Sequence, residues 1–321
     1  TEDSKLANKL YNESLSLANE GKYFEGINLL NKAIHLRPDF DKGYYNRSCF
    51  RLKTGSLVEA IADLNKAIEL RPAAEYYAAR GYLFFVQKKY PEALSDLTVA
   101  INQDPNAIEA YYYRGCLMAE QKRNSEALAD FDRAISIKPD YAIAYNERAN
   151  VKFMMKDLTG AETDLTKAVT FDPTLAISFN NLGKVKEQQN DLGSADEYFT
   201  AAVKIDPSFY EAYNNRGNVK YKNTEYEAAI ADYGRALNLK ADYAQAFNNR
   251  GLAKYMTGNL PGAIEDFTGA IMQDQSYEEA WLNRGIVKEM QRDEKGACSD
   301  WKKAMEAGNI EASTYVNNQC Q

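Results

Sequence analysis

The sequence predicts an all-α fold, a solenoid of nine stacked helical hairpins, on three observations. The 321 residues repeat on a 34-residue period. Within the period the apolar positions fall at helical spacing, and proline closes each of the first six units. Units begin near Ala7, Asp41, Ala74, Ile108, Ala142, Ala176, Tyr210, Ala244 and Glu278, and only the second is one residue short. The expected organisation is therefore one continuous domain over residues 1–321, not two domains joined by a linker.

The first half of each unit is a helix with an aromatic at repeat position 4, among them Tyr44, Tyr145, Phe179, Tyr213 and Trp281. Position 8 is glycine in six units (Gly81, Gly115, Gly183, Gly217, Gly251, Gly285). Glycine costs about 1 kcal/mol of helix propensity relative to alanine, so its recurrence predicts a close helix contact. The second half carries small residues at positions 20 and 27, such as Ala229 and Ala236, around a large apolar residue at 24. These positions share one face at i, i+4 and i+7, two small residues flanking one knob. Proline at position 32, from Pro38 to Pro207, ends the second helix because its ring cannot continue the hydrogen-bond ladder.

An aromatic at 4, Gly at 8, Ala at 20, a bulky residue at 24, Ala at 27 and Pro at 32 together resemble the tetratricopeptide repeat. The resemblance covers residues 7–311. It implies antiparallel helix pairs wound into a right-handed α-α superhelix, with first helices lining a concave groove. Ala241, Gln275 and Asn309 replace proline in the last units, and Leu10 replaces the first aromatic.

Position 7 is arginine in seven units: Arg47, Arg80, Arg114, Arg148, Arg216, Arg250 and Arg284. Position 23 is aspartate in the same seven: Asp63, Asp96, Asp130, Asp164, Asp232, Asp266 and Asp300. The first and sixth units lose both partners together, having Glu13 with Leu29 and Leu182 with Tyr198. Joint loss predicts spatial contact, here a bidentate salt bridge within or between hairpins. Arg216–Asp232, Arg250–Asp266 and Arg284–Asp300 are therefore expected to be structural.

Asparagine recurs at position 6 (Asn12, Asn46, Asn181, Asn215, Asn249, Asn283) and at position 5 (Asn146, Asn180, Asn214, Asn248). It is a poor mid-helix residue, because its amide competes with the backbone, so a compensating use is expected. On the geometry that the resemblance implies, these positions face the groove, joined by Tyr45 and Tyr112 from the early units. One reading is contact with the backbone of an extended peptide, since an amide both donates and accepts. That series is similar to the asparagine ladder in the repeat region of O-linked N-acetylglucosamine transferases. The other reading is that the amides bridge adjacent first helices. Lysine at position 11 from the fifth unit onward (Lys152, Lys186, Lys220, Lys254, Lys288) offers either an acidic-peptide contact or solvated surface. The dicarboxylate clamp of some family members is not expected, because position 5 is never lysine and position 6 never arginine.

A net charge of −7 and a pI near 5.1 argue against nucleic-acid binding. No apolar run nears the roughly 18 residues of a membrane span. With one histidine, His35, and no CxxC, Walker loop or strand-borne GxGxxG, no catalytic constellation, metal site or cofactor is expected. Cys49 and Cys116 share position 9 two repeats apart and are expected to be free thiols. Cys298 and Cys320 lie either side of residue 309, where the chain turns into a final helix over about 311–320. An antiparallel hairpin there brings them level, so a disulfide is expected. The tail also resembles the last unit of exported bacterial repeat proteins, and a disulfide favours a periplasmic or secreted location. The expected function is a non-catalytic scaffold holding an extended peptide or helix of a partner protein in the groove. The alternative is a module that assembles with itself through end repeats or groove.

Overall fold

The computed structural model describes residues 2–320, and among them nineteen α-helices and no strand. By packing, the chain forms two compact units, one ending at Val151 and the other beginning at Lys152. The first unit contains α1 (Glu2–Asn19), α2 (Tyr23–Leu36), α3 (Asp41–Lys53), α4 (Leu57–Leu70), α5 (Ala74–Val86), α6 (Tyr90–Gln103), α7 (Ile108–Glu120) and α8 (Asn124–Ile137). The division falls inside α9 (Ala142–Met154). The second unit continues with α10 (Leu158–Phe171), α11 (Ala176–Gln188), α12 (Leu192–Ile205), α13 (Tyr210–Lys222), α14 (Tyr226–Leu239) and α15 (Ala244–Met256). It ends with α16 (Leu260–Gln273), α17 (Glu278–Met290), α18 (Glu294–Glu306) and α19 (Ile310–Gln319).

First helices open where the repeat units were placed, with one difference. α1 starts at Glu2 rather than near Ala7. Nothing in that stretch breaks a helix, and Glu2 and Asp3 complement the positive end of its dipole. Whereas α18 ends on Ala307 with helical angles (φ −79°, ψ −4°), the second helices from α4 to α16 end on an extended residue, as at Asp104 (φ −132°, ψ 101°) before Pro105. Proline imposes that conformation on the residue preceding it. Asp274 adopts it without proline (φ −143°, ψ 102°), and its carboxylate accepts the Ser276 N–H at 2.8 Å, an Asx turn that Asp104, Asp172 and Asp206 also make. The turn inside each hairpin places repeat position 15 in the left-handed region, with glycine at Gly21, Gly55 and Gly258 but Lys88, Asn190 and Thr224 (φ 62°) elsewhere.

The core is one knob per hairpin. Ala229 and Ala236 are fully buried beside Tyr233, as Ala263 and Ala270 are beside Phe267. Position 8 faces position 24 of its own hairpin: a Cβ at Gly251 would lie 2.7 Å from Phe267, and one at Gly285 2.5 Å from the Trp301 indole. The missing side chain is what lets the second helix close onto the first.

Candidate functional site

Arginine at position 7 grips aspartate at position 23 with two parallel bonds. Arg250 Nε and Nη2 reach Asp266 Oδ2 and Oδ1 at 2.8 and 2.7 Å. Arg216 reaches Asp232 at 2.8 and 2.6 Å, and Arg284 reaches Asp300 at 2.8 Å through both nitrogens. The pattern repeats in the first unit at Arg47–Asp63, Arg80–Asp96 and Arg114–Asp130. Arg148 binds Asp132 at 2.6 Å. Sixteen residues span the hairpin turn, so each bidentate pair ties a first helix to its own second helix, whereas Asp132 lies on the second helix of the hairpin before Arg148. The guanidinium also lies over the position-4 ring, 4.9 Å from the Trp281 centroid for Arg284. With the aspartates nearly fully buried, planar stacking and a fork of donors make arginine, not lysine, the fitting residue.

The lysines of position 11 complete these clusters instead of facing a ligand. Lys220 reaches Asp232 at 2.7 Å, Lys254 reaches Asp266 at 2.9 Å, Lys288 reaches Asp300 at 2.8 Å and Lys152 reaches Asp164 at 2.7 Å. Arg51 does the same for Asp63 at 2.7 Å. The sixth repeat has no such aspartate, and Lys186 turns to Glu162 at 2.6 Å. Sequence reasoning missed this second arm. Its signal is the fixed interval of twelve residues from each cation to its aspartate, with Arg51 breaking the lysine series but keeping the charge.

The asparagines form a chain of amides between successive first helices. Asn215 donates to Asn180 at 3.0 Å, Asn249 to Asn214 at 3.1 Å and Asn283 to Asn248 at 3.0 Å. Each bond runs from position 6 of one repeat to position 5 of the repeat before. The acceptors are buried, Asn214 at 1% exposure, as is Asn146, and Asn181 is buried too. Asn46 donates to the Tyr11 hydroxyl at 2.7 Å in the same role. Asn215, Asn249 and Asn283 stay partly exposed, and their Oδ1 atoms accept no hydrogen bond among the described residues.

The two early tyrosines separate. Tyr112 packs against Phe131 and Tyr141, at ring-centroid distances of 6.2 and 5.5 Å. A ring at position 5 gains more by joining that aromatic cluster than by standing in water. Tyr45 packs on Tyr76 at 4.9 Å and also lines an open cavity of about 370 Å³ among α3, α5 and α7. Its walls are Tyr45, Cys49 and Leu52 from α3, Ala79 and Tyr82 from α5, and Tyr113 from α7, with Glu75 and Glu109 also lining it. Tyr82 and Tyr113 stack at 4.4 Å, and burial, then Tyr82 and Glu109, push the Tyr113 hydroxyl up to about 12.

Cys298 and Cys320 are joined by a disulfide, fastening the end of α19 to α18, while Tyr315 stacks on Trp301 at 4.9 Å. The free cysteines are Cys49 and Cys116, and burial raises both thiols, Cys116 to about 12. No described helix is long and apolar enough to cross a membrane.

Hairpins of one period, most of them tied by the same arginine–aspartate pair, define a class of helical repeat protein, and the comparisons name the class. Tetratricopeptide-repeat family models match residues 51–108, 108–141 and 180–237, and a TPR-repeat model matches 225–258. The chain belongs to the tetratricopeptide-repeat proteins, which in general act as protein-interaction scaffolds. Among solved structures, the Cut9–Hcn1 hetero-tetramer of the APC/C is similar at TM-score 0.65 and 13% identity, over 98% of this chain and 76% of that one. PilF of Pseudomonas aeruginosa is similar at 0.60 and 18%, over 68% and 97%. A tetratricopeptide repeat protein of Parabacteroides merdae is similar at 0.57 and 19%, over 77% and 98%. At these identities the likeness concerns the fold alone. No curated protein sequence matches the chain.

Proposed function

We propose that this protein is a non-catalytic interaction module that seats an extended segment or helix of another protein across its first helices. The observation that carries this reading is the cavity among α3, α5 and α7, which the chain's own side chains leave open. Ion pairs and amide bridges consume most other polar groups on these helices. In the second unit the amide ladder leaves the Oδ1 atoms of Asn215, Asn249 and Asn283 without a donor, recurring once per repeat. Their role in the proposal is to accept backbone N–H bonds from an extended segment, whatever its side chains.

A displayed library of random peptides, selected against the full chain, tests the proposal. Peptides of roughly 12 residues span about 40 Å when extended. Binders are expected whose affinity falls at least about tenfold, or 1.4 kcal/mol, in Tyr82→Ala or in Asn215→Ala with Asn249→Ala. A library yielding no binder overturns it.

A second reading, self-assembly, draws on the first hairpin, where Leu6 is 45% and Phe24 69% exposed and Leu6, Leu10 and Leu36 line a shallow apolar depression. Sedimentation velocity over a concentration series distinguishes it: a coefficient that rises with concentration and stays flat in Leu6→Glu supports assembly through that face.

A further inference from the structure

We infer that the cavity among α3, α5 and α7 recognises a basic side chain, an arginine above all, on the partner segment. The inference rests on the proposed binding of that segment to the first helices and specifies its chemistry. Three tyrosines from three successive first helices, Tyr45, Tyr82 and Tyr113, line the same space, and no lysine or arginine lines it. Glu75 and Glu109 occupy position 2 of adjacent repeats on its border, and both are exposed. Arg71 engages Glu75 at 3.0 Å from outside the cavity, whereas Glu109 makes no ion pair or hydrogen bond among the described residues. The cavity therefore combines aromatic walls, a net negative border and one carboxylate without a cation.

That combination fits a guanidinium better than other side chains. Its plane stacks on tyrosine rings, its fork of N–H donors matches a carboxylate, and its weak hydration makes entry inexpensive. The aliphatic stem covers Leu52 and Ala79. An acidic side chain would meet Glu109 with nothing to offset the repulsion. A neutral aliphatic one would fill the space and leave Glu109 without a partner. Neighbouring first helices lie about 8–10 Å apart. An extended chain covers about 10 Å in three residues. Side chains along such a chain alternate sides, so a second basic residue two or four positions from the first points the same way and comes near Glu75, where it competes with Arg71.

The test takes the peptides selected from the random library and replaces each arginine with citrulline, which keeps the shape and removes the charge, and each lysine with acetyl-lysine. The selected peptides are expected to be enriched in arginine or lysine. Either replacement is expected to weaken binding to the full chain at least about tenfold. Glu109→Gln, an exposed change that preserves the fold, is expected to weaken the parent peptide similarly while leaving the neutral form unchanged. Affinity should fall as salt rises, because the pair is partly exposed. Binders that need Tyr82 but show no basic enrichment overturn this inference and leave the proposed function standing. A library with no binders overturns both. Binders indifferent to Glu109→Gln, or a dimer of the free chain that Glu109→Gln dissolves, overturn the basic-segment assignment.

Discussion

Asp266 is held by two cations and Asp130 by one, and that difference can be measured. Arg250 and Lys254 both reach Asp266, whereas Arg114 takes both oxygens of Asp130 and Met118 stands where the second cation would be. Removing one partner of a buried pair costs about 3–5 kcal/mol, because the charge left behind has lost its compensation. With Lys254 still in place, the loss at Asp266 is nearer the 1.5–3 kcal/mol of a charged hydrogen bond. Urea denaturation of Arg114→Ala and Arg250→Ala is expected to show the larger drop in midpoint for Arg114→Ala; the reverse order would remove the second-cation argument. The joint absence of Arg and Asp from the first and sixth repeats made the pair legible in the sequence. The Lys–Asp arm was not, because a lysine row resembles any solvated face until a fold sets it beside its aspartate. For the asparagines, residue type revealed a use without its direction, since an amide donates and accepts equally well and only geometry assigns the partner.

Helices and turns carry two further consequences. Repeat position 15 needs φ > 0 in every hairpin, yet Thr224 occupies it as a β-branched residue at φ 62°. Left-handed backbone costs an L-residue about 1–2 kcal/mol, and glycine adopts it freely. Thr224→Gly, at an exposed site with no contact to lose, is expected to raise stability by about 1 kcal/mol in denaturant titration. At the other end, the disulfide closes a sequence separation of 22 residues, worth about 3 kcal/mol in the chain-entropy model. Thiol titration of the denatured, unreduced chain should therefore count two thiols of its four cysteines, Cys49 and Cys116. In the folded chain both should react slowly, because burial holds them protonated near neutral pH. Four thiols in the denatured chain would refute the bond. The helix boundaries were readable because proline, alanine and glycine recur at fixed places; the early start of α1 was not, since it precedes the first full period.

At the scale of the whole molecule, stability in a repeat array is a sum of repeats and their interfaces, so a weak repeat is a local fault. In the second unit the fault is the sixth repeat, α11 with α12, where Leu182 and Tyr198 replace the buried arginine and aspartate. Amide hydrogen exchange is expected to be faster in α11 and α12 than in the helix pairs α13–α14 and α15–α16. Equal protection would mean that the buried pairs do not set the local opening energy. The division into two compact units within α9 was not visible in the sequence, because the 34-residue period runs through it unbroken.

The amide ladder also bears on how such a chain can lengthen or shorten. Each rung places its donor in one repeat and its acceptor in the repeat before, and the repeats beginning at Tyr210 and Ala244 carry the same Asn-Asn-Arg-Gly. If residues 244–277 were excised, Asn283 would meet Asn214 in place of Asn248, and the rung would close again. The ladder is thus indifferent to copy number. Duplication or loss of the unit beginning at Tyr210 or at Ala244 leaves each of these amide bonds with a partner, so the reach of the protein can change there in steps of one repeat without first repairing a seam.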